Sequence, residues 1–153
     1  MILNENKKPL SLVPAEEEQQ VGRALLSWFN GWPEKPVRRI SFEYLPEEGP
    51  AMSLITIQAA YKIRQYILGG YRAQYQFKIA YRVRPSNDNA RLEADELLNR
   101  LGSWAELNPD KPQLEGRARV LSVRRDSNAA IFGTYEDGTQ DHQILMNLIY
   151  EVI

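Results

Sequence analysis

A chain of 153 residues, 43% hydrophobic and 25% charged, suits one globular domain with a real core. Its formal net charge of -1 argues against a general nucleic-acid binder, whose domains tend to be strongly basic. The absence of cysteine excludes disulfides, thiolate nucleophiles and cysteine metal sites, and fits a cytoplasmic protein. No secretion signal is visible in Met1–Leu10, and no stretch approaches the ~18 apolar residues of a membrane span.

Residues 1–13 read as a polar tail ahead of a single α+β domain over residues 14–153. Pro14 suits the opening of a helix, and Glu16, Glu17 and Glu18 follow where the helix dipole favours anions. Val21, Leu25, Trp28, Phe29 and Trp32 recur at helical spacing as one apolar stripe, which Asn30-Gly31 and Pro33 end. Arg39–Tyr44 alternates as a half-buried strand with Ile40, Phe42 and Tyr44 inward. Pro46-Glu47-Glu48-Gly49-Pro50 is an acidic loop by composition.

The most ordered pattern follows. Between Ala51 and Asn87 there is no Asp or Glu, and all six cations (Lys62, Arg64, Arg72, Lys78, Arg82 and Arg84) stand at even positions. The odd positions read Tyr71, Ala73, Tyr75, Phe77, Ile79, Tyr81 and Val83. A strict period of two predicts strands with one buried face and one open face, the open one cationic. Gly69-Gly70 marks a hairpin. A two-residue loop would set Lys62 against Phe77, the wrong face. A three-residue loop, Leu68-Gly69-Gly70, sets Ile67 against Tyr71, Ile63 against Tyr75, Tyr61 against Phe77, Ile57 against Tyr81 and Ile55 against Val83. Each arm would run about 44 Å.

After Arg84-Pro85, one of Ser86, Asn87 or Asp88 can cap a second helix. Its stripe is Ala90, Ala94, Leu97, Leu98, Leu101 and Trp104, and Asn108-Pro109 ends it. The last third reads as strands over Arg117–Arg124, Ala129–Tyr135 and Gln140–Ile153. The Asp137-Gly138 turn sets Ile131 against Ile144 and Ala129 against Met146. Runs of strands with helices between them predict an α+β fold: a largely antiparallel sheet with a long hairpin, and two main helices on one face.

Little in the chain suits catalysis. His142, the only histidine, has no nucleophile or metal ligand beside it and alternates with sheet positions, so it reads as structural or surface. Glu47 and Glu48, adjacent in a Pro/Gly loop, read as solvated charge, and Gly69-Gly70 lacks the spacing of a phosphate loop. The cationic face admits three readings: a solvated face that blunts aggregation, a surface for an acidic patch on a neighbouring protein, or a surface for a phosphate backbone. Acids segregated elsewhere on a near-neutral chain suit head-to-tail self-association, which makes a ring where it closes.

The run Gly70-Tyr71, Tyr75-Gln76-Phe77 and Ile79-Ala80-Tyr81-Arg82 is followed by Asn87-Asp88-Asn89, Leu92, Glu96-Leu97-Leu98 and Trp104. The ending carries Gly133-Thr134-Tyr135-Glu136-Asp137-Gly138, Asp141 and Leu148-Ile149-Tyr150-Glu151-Val152. In order and spacing these resemble the minor capsid or tail-terminator (tail completion) proteins of long-tailed phages and prophages. The likeness spans residues 15–153 and includes the Leu26–Trp28 helix and the Pro46–Gly49 loop. It implies a virion structural protein that assembles as a ring, typically a hexamer, on the tail tube. Such a ring ends tube growth and offers a surface to the head-completion (connector) protein. It would sit at the head-proximal end of the tail after assembly in the bacterial host cytoplasm, with DNA only as passing cargo and no membrane partner. The family brings no catalytic residue, metal or cofactor.

Both readings give an assembly part whose subunit or tail-tube interface is expected at Lys62, Arg64, Arg72, Lys78, Arg82 and Arg84 and at the Leu68-Gly69-Gly70 tip, with Glu47 and Glu48 as acidic counterparts. The alternative is a nucleic-acid-binding module using the basic face of the 54–84 hairpin, with Tyr66 for stacking.

Overall fold

The computed structural model describes residues 12–58 and 62–153. In chain order the elements are α1 (Ala15–Phe29), β1 (Ser41–Phe42), β2 (Ala51–Thr56), β3 (Lys62–Gln65), β4 (Tyr71–Val83), α2 (Asp88–Leu107), β5 (Ala118–Arg125), β6 (Ala130–Thr134) and β7 (Gln140–Val152). The strands form one seven-stranded sheet in the order β1-β2-β4-β7-β5, with β3 also paired to β4 and β6 to β7. All pairings are antiparallel except β1 with β2. The expected α+β class therefore holds.

The period of two decides how β4 sits. Ala73, Tyr75, Phe77 and Ile79 are fully buried, whereas Arg72, Gln74, Gln76, Lys78 and Arg82 are half-buried on the other face. On the buried face α1 contributes Val21, Leu25 and Phe29, and α2 contributes Leu98, Leu101 and Ala105. Phe29 meets Phe77 edge-on at 5.7 Å between ring centroids, and Trp28 stacks near Trp104 at 4.7 Å. Both helices thus cover the odd face of β4, and neither covers the even face. Val13, at the end of the segment read as a tail, is also buried in this core.

The helix signals act locally as expected. The Asn87 side chain accepts the Ala90 backbone N–H at 2.8 Å and caps α2. At the end of α1 the Asn30 carbonyl oxygen accepts from Ile40 N–H at 2.8 Å while its amide donates to Ile40 O at 3.0 Å. One side chain thereby fixes the path of the loop after the helix. Gly102 lets α2 lie close on the sheet, because a Cβ there would fall 2.9 Å from Ile144 Cδ1.

Three expectations are corrected. Residues 51–65 are not one continuous arm paired to β4. β2 sets Met52 opposite Tyr81, Leu54 opposite Ile79 and Thr56 opposite Phe77, so its even residues face the core and Ile55 lies opposite Lys78. β3 sets Gln65 opposite Tyr71, which leaves Tyr66–Gly70 as a five-residue loop with Ile67 inside it. The pairing of Tyr61 with Phe77 lies outside the described residues. The physical reason is the break between β2 and β3: each short strand chooses its own register, so one turn cannot set both. Second, Phe42 and Tyr44 are exposed and only Ile40 is inward, because Glu43 takes a positive φ of 51° and breaks the alternation. Third, Ile131 pairs with His142 instead of Ile144, and the register shifts around Phe132, as a bulge does.

Candidate functional site

The thirteen-residue pairing of β4 with β7 runs from Tyr71↔Val152 to Val83↔Gln140, about 44 Å at strand rise, and the expected interface residues other than Lys78 gather at its two ends. Their surroundings differ from the uncompensated cationic face that the sequence predicts. β7 places Asp141 opposite Arg82 and Glu151 opposite Arg72 on the face away from the helices, so two of the six cations stand opposite anions of the same sheet and Arg82 pairs with its own.

At the Val83 end, the Arg82 guanidinium binds Asp141 bidentately, with Nε–Oδ1 and Nη2–Oδ2 both at 2.8 Å. Nη1 donates to Pro46 O at 2.8 Å, and the guanidinium lies 5.2 Å over the Tyr135 ring. Tyr135 Oη in turn donates to Asp141 Oδ2 at 2.8 Å. The hydrogen bond to Asp141 is the main cause that holds the Arg82 pKa above its ordinary value, outweighing burial. Burial raises the Asp141 carboxyl, but the hydrogen bonds from Arg82 and Tyr135 and the Arg82 charge prevail and leave it below its usual range. Arg82 is therefore a clamp that fastens the 46–49 loop to the sheet. Gly49 is required there, since a Cβ would lie 2.8 Å from Arg82 O. The clamp displays Glu47 and Glu48, both exposed, at a cleft of about 570 Å³ shared with Glu136 and Asp137. Hydrogen bonds from Thr139 lower the Asp137 carboxyl. Arg84, exposed just past β4, adds one cation near this acidic rim.

At the Tyr71 end the cations point several ways. Lys62 lies opposite Ala73, and its Nζ sits 4.5 Å over the Tyr71 ring, so it leaves the even face. The cause is the register shift between Lys62 and Arg64. Arg64 is exposed beside Arg72, whose Nε is buried without a hydrogen-bond partner among the described residues. Glu151 accepts from Arg119 Nε at 2.5 Å and from Tyr66 Oη at 3.0 Å. Its carboxyl is lowered first by the Arg119 hydrogen bond. Between the ends, Lys78 Nζ lies 4.2 Å over the Phe132 ring.

The loop beyond this end carries the least protected apolar surface: Ile67 is 100% and Leu68 99% exposed. Tyr66 N–H donates to Gly70 O at 3.0 Å and closes the loop. Gly70 has φ +80°, and a Cβ there would fall 2.4 Å from Val152 O, so the loop returns tightly onto the end of β7. The sequence pattern places Leu68-Gly69-Gly70 at the tip but assigns Ile67 to the inward row, and so misses that Ile67 belongs to it. The signal for it is the run Ile67-Leu68-Gly69-Gly70, aliphatic residues directly against a double glycine.

His142 is structural in its setting. It is 2% exposed, with Nδ1 2.7 Å from Asp95 Oδ1 and Nε2 3.1 Å from Gln140 Oε1. Glu17 of α1 accepts hydrogen bonds from Tyr71 and from Tyr150, the latter at 2.6 Å, and so locks the helix to the Tyr71 end of the β4–β7 pair. Burial, then the Glu17 contact, drives both tyrosines up. Tyr75 is pushed up to about 12, mainly by burial, with its hydroxyl 2.5 Å from Thr56 Oγ1. No group of three or more His, Cys, Asp or Glu among the described residues is arranged to hold a metal ion. No protein-family model and no curated protein matches this chain.

Proposed function

We propose that this chain is a phage or prophage virion structural protein that joins head to tail into a ring on the tail tube. The ring ends tail polymerisation and offers the head-joining surface. The observation that supports the reading is polarity along one rigid strand pair. Exposed Ile67 and Leu68 with Arg64 stand at one end of β4, and Glu47, Glu48, Glu136 and Asp137 stand at the other. Two unlike patches on one copy favour a heterologous contact, which closes into a ring when the rotation per subunit allows. The resemblance to tail terminators, carried by the residues quoted above, supplies the hexamer, the tail tube and the connector protein as partners.

Two measurements test the reading: mass in solution, then electron microscopy with tail tubes. A discrete ring oligomer, alone or on tube ends, is the expected result. A chain that stays monomeric and ignores tail tubes ends the proposal. The nucleic-acid alternative draws on the same cations, but Arg82 is committed to Asp141 and the Tyr66 hydroxyl to Glu151. Binding to DNA at micromolar affinity with steep salt dependence would revive it.

A further inference from the structure

On the helix side of the molecule, one face of α1 borders a recess of about 370 Å³ lined by Gln19, Gly22, Arg23, Leu26 and Phe42. Its lining sets apolar Leu26 and Phe42 beside polar Gln19 and Arg23. Phe42 is 41% exposed and Leu26 half-buried, and Gly22 offers no side chain to fill the space. A Cβ at position 22 would meet Tyr75 Oη at 3.1 Å and the Phe42 ring at 3.6 Å. Gly22 is thus close-packed on the Tyr75 hydroxyl, and the outward Phe42 ring bounds the recess beside it. Two acids flank it. Glu18 lies one helical turn before Gly22, and Glu43 follows Phe42 directly. Glu43 Oε2 accepts from Thr56 N–H at 3.3 Å, and Thr56 Oγ1 meets the Tyr75 hydroxyl at 2.5 Å, so Glu43 stands close to the recess; the lining itself adds one cation, Arg23.

The tip described above is complementary in both respects: its aliphatic pair is bare, and Arg64 stands exposed in the strand that leads to it. We infer that Ile67 and Leu68 of one copy seat in the Gly22–Phe42 recess of the next, with Arg64 facing Glu18 and Glu43. The inference rests on the self-association proposed above and seats the tip in a recess separate from the acidic rim. Burial of two aliphatic side chains supplies the affinity and the flanking charges set the orientation. Knob and recess lie on different surfaces of one copy, so the contact is heterologous and propagates from copy to copy.

Because the chain holds no cysteine, single thiols report on the contact without interference. Three full-length variants are made, Leu68→Cys, Gln19→Cys and Leu107→Cys, each with a distinct mass tag and each at an exposed position. They are mixed in pairs under mild oxidation, with tail tubes added where assembly needs them. The expected result is a mixed disulfide between Leu68→Cys and Gln19→Cys at least about tenfold above that between Leu68→Cys and Leu107→Cys. Leu68→Asp should keep the wild-type melting curve and raise the concentration for half-assembly at least about tenfold, as loss of a buried leucine predicts. No cross-link excess in a sample that sedimentation shows to be assembled overturns the tip–recess contact and leaves the ring reading standing. A wild-type chain that stays monomeric with and without tubes overturns both. Wild-type binding to mixed phosphatidylcholine–phosphatidylglycerol vesicles, abolished by Leu68→Asp and without the cross-link, assigns the tip to a lipid surface and likewise overturns the inference.

Discussion

Arg82 and Arg64 hold the same place in the sequence pattern, even-numbered cations among odd-numbered apolar residues, yet they end in opposite circumstances. The Arg82 side chain is only 13% exposed and gripped by Asp141, Tyr135 and the carbonyl of Pro46. Arg64 stands in solvent next to Arg72. The difference lies in what the neighbouring chain segments supply. Past Val83 the 46–49 loop and β7 converge on the guanidinium, whereas at the hairpin tip the partner strand is four residues long and ends before its side chains are covered. Charge on a strand face reports where a side chain can point, and only the tertiary partners decide whether it holds the fold or meets a neighbour.

Substitutions sharpen this contrast. Arg82→Ala should lose about 3–5 kcal/mol in denaturant melts, because it strands a buried carboxylate and frees the acidic loop. A loss under ~0.5 kcal/mol would make Arg82 equivalent to Arg64 and erase the contrast. Phe77→Ala, midway along β4 and fully buried against Phe29, should cost roughly 3–5 kcal/mol, and a cost near zero would invert the two faces. Acid should act on the clamp through Asp141. Its folded pKa is depressed, so its contribution is present above the unfolded value of about 3.9 and is lost as pH falls through the folded one. The melting temperature of the wild type should therefore fall more steeply below about pH 4 than that of Asp141→Asn. Equal slopes would remove the clamp from the account of acid stability. The smallest effect on folding belongs to Arg64→Glu, within about 0.5 kcal/mol. If Arg64 faces a neighbour, that same variant should weaken assembly in sedimentation while leaving the melting curve in place.

Much of the architecture was legible because each signal is local. The Glu16–Glu18 turn, the α1 and α2 stripes, the Asn87 cap and the alternation in β4 need no distant partner to be read. The odd face of β4 followed from its period alone. What could not be read was pairing across a break. The gap between β2 and β3, the shift around Phe132 and the positive φ at Glu43 each reset a register that turn chemistry alone does not fix. The same limit applies to the charged face. Asp141 and Glu151 sit at odd positions of a strand whose even residues face the core, so their exposure to the open face was readable. Their placement opposite Arg82 and Arg72 depends on a pairing between segments some 60–80 residues apart. Ile67's place in the exposed tip was missed for a related reason: an alternation was extended two residues too far, past Gln65 into a loop.

The central position of β7 also bears on how the protein reaches this state. β4 is flanked on one side by strands that precede it closely, and on the other, along all thirteen residues, by a segment that arrives only after α2, β5 and β6. The largest set of backbone bonds in the molecule is thus also the one with the longest loop to close, the kind of topology that slows folding. Until that final zippering, Phe77, Ile79 and their unpaired edge are open to any passing strand, and a growing population of unfinished chains would be the stage at which this protein is most prone to aggregate.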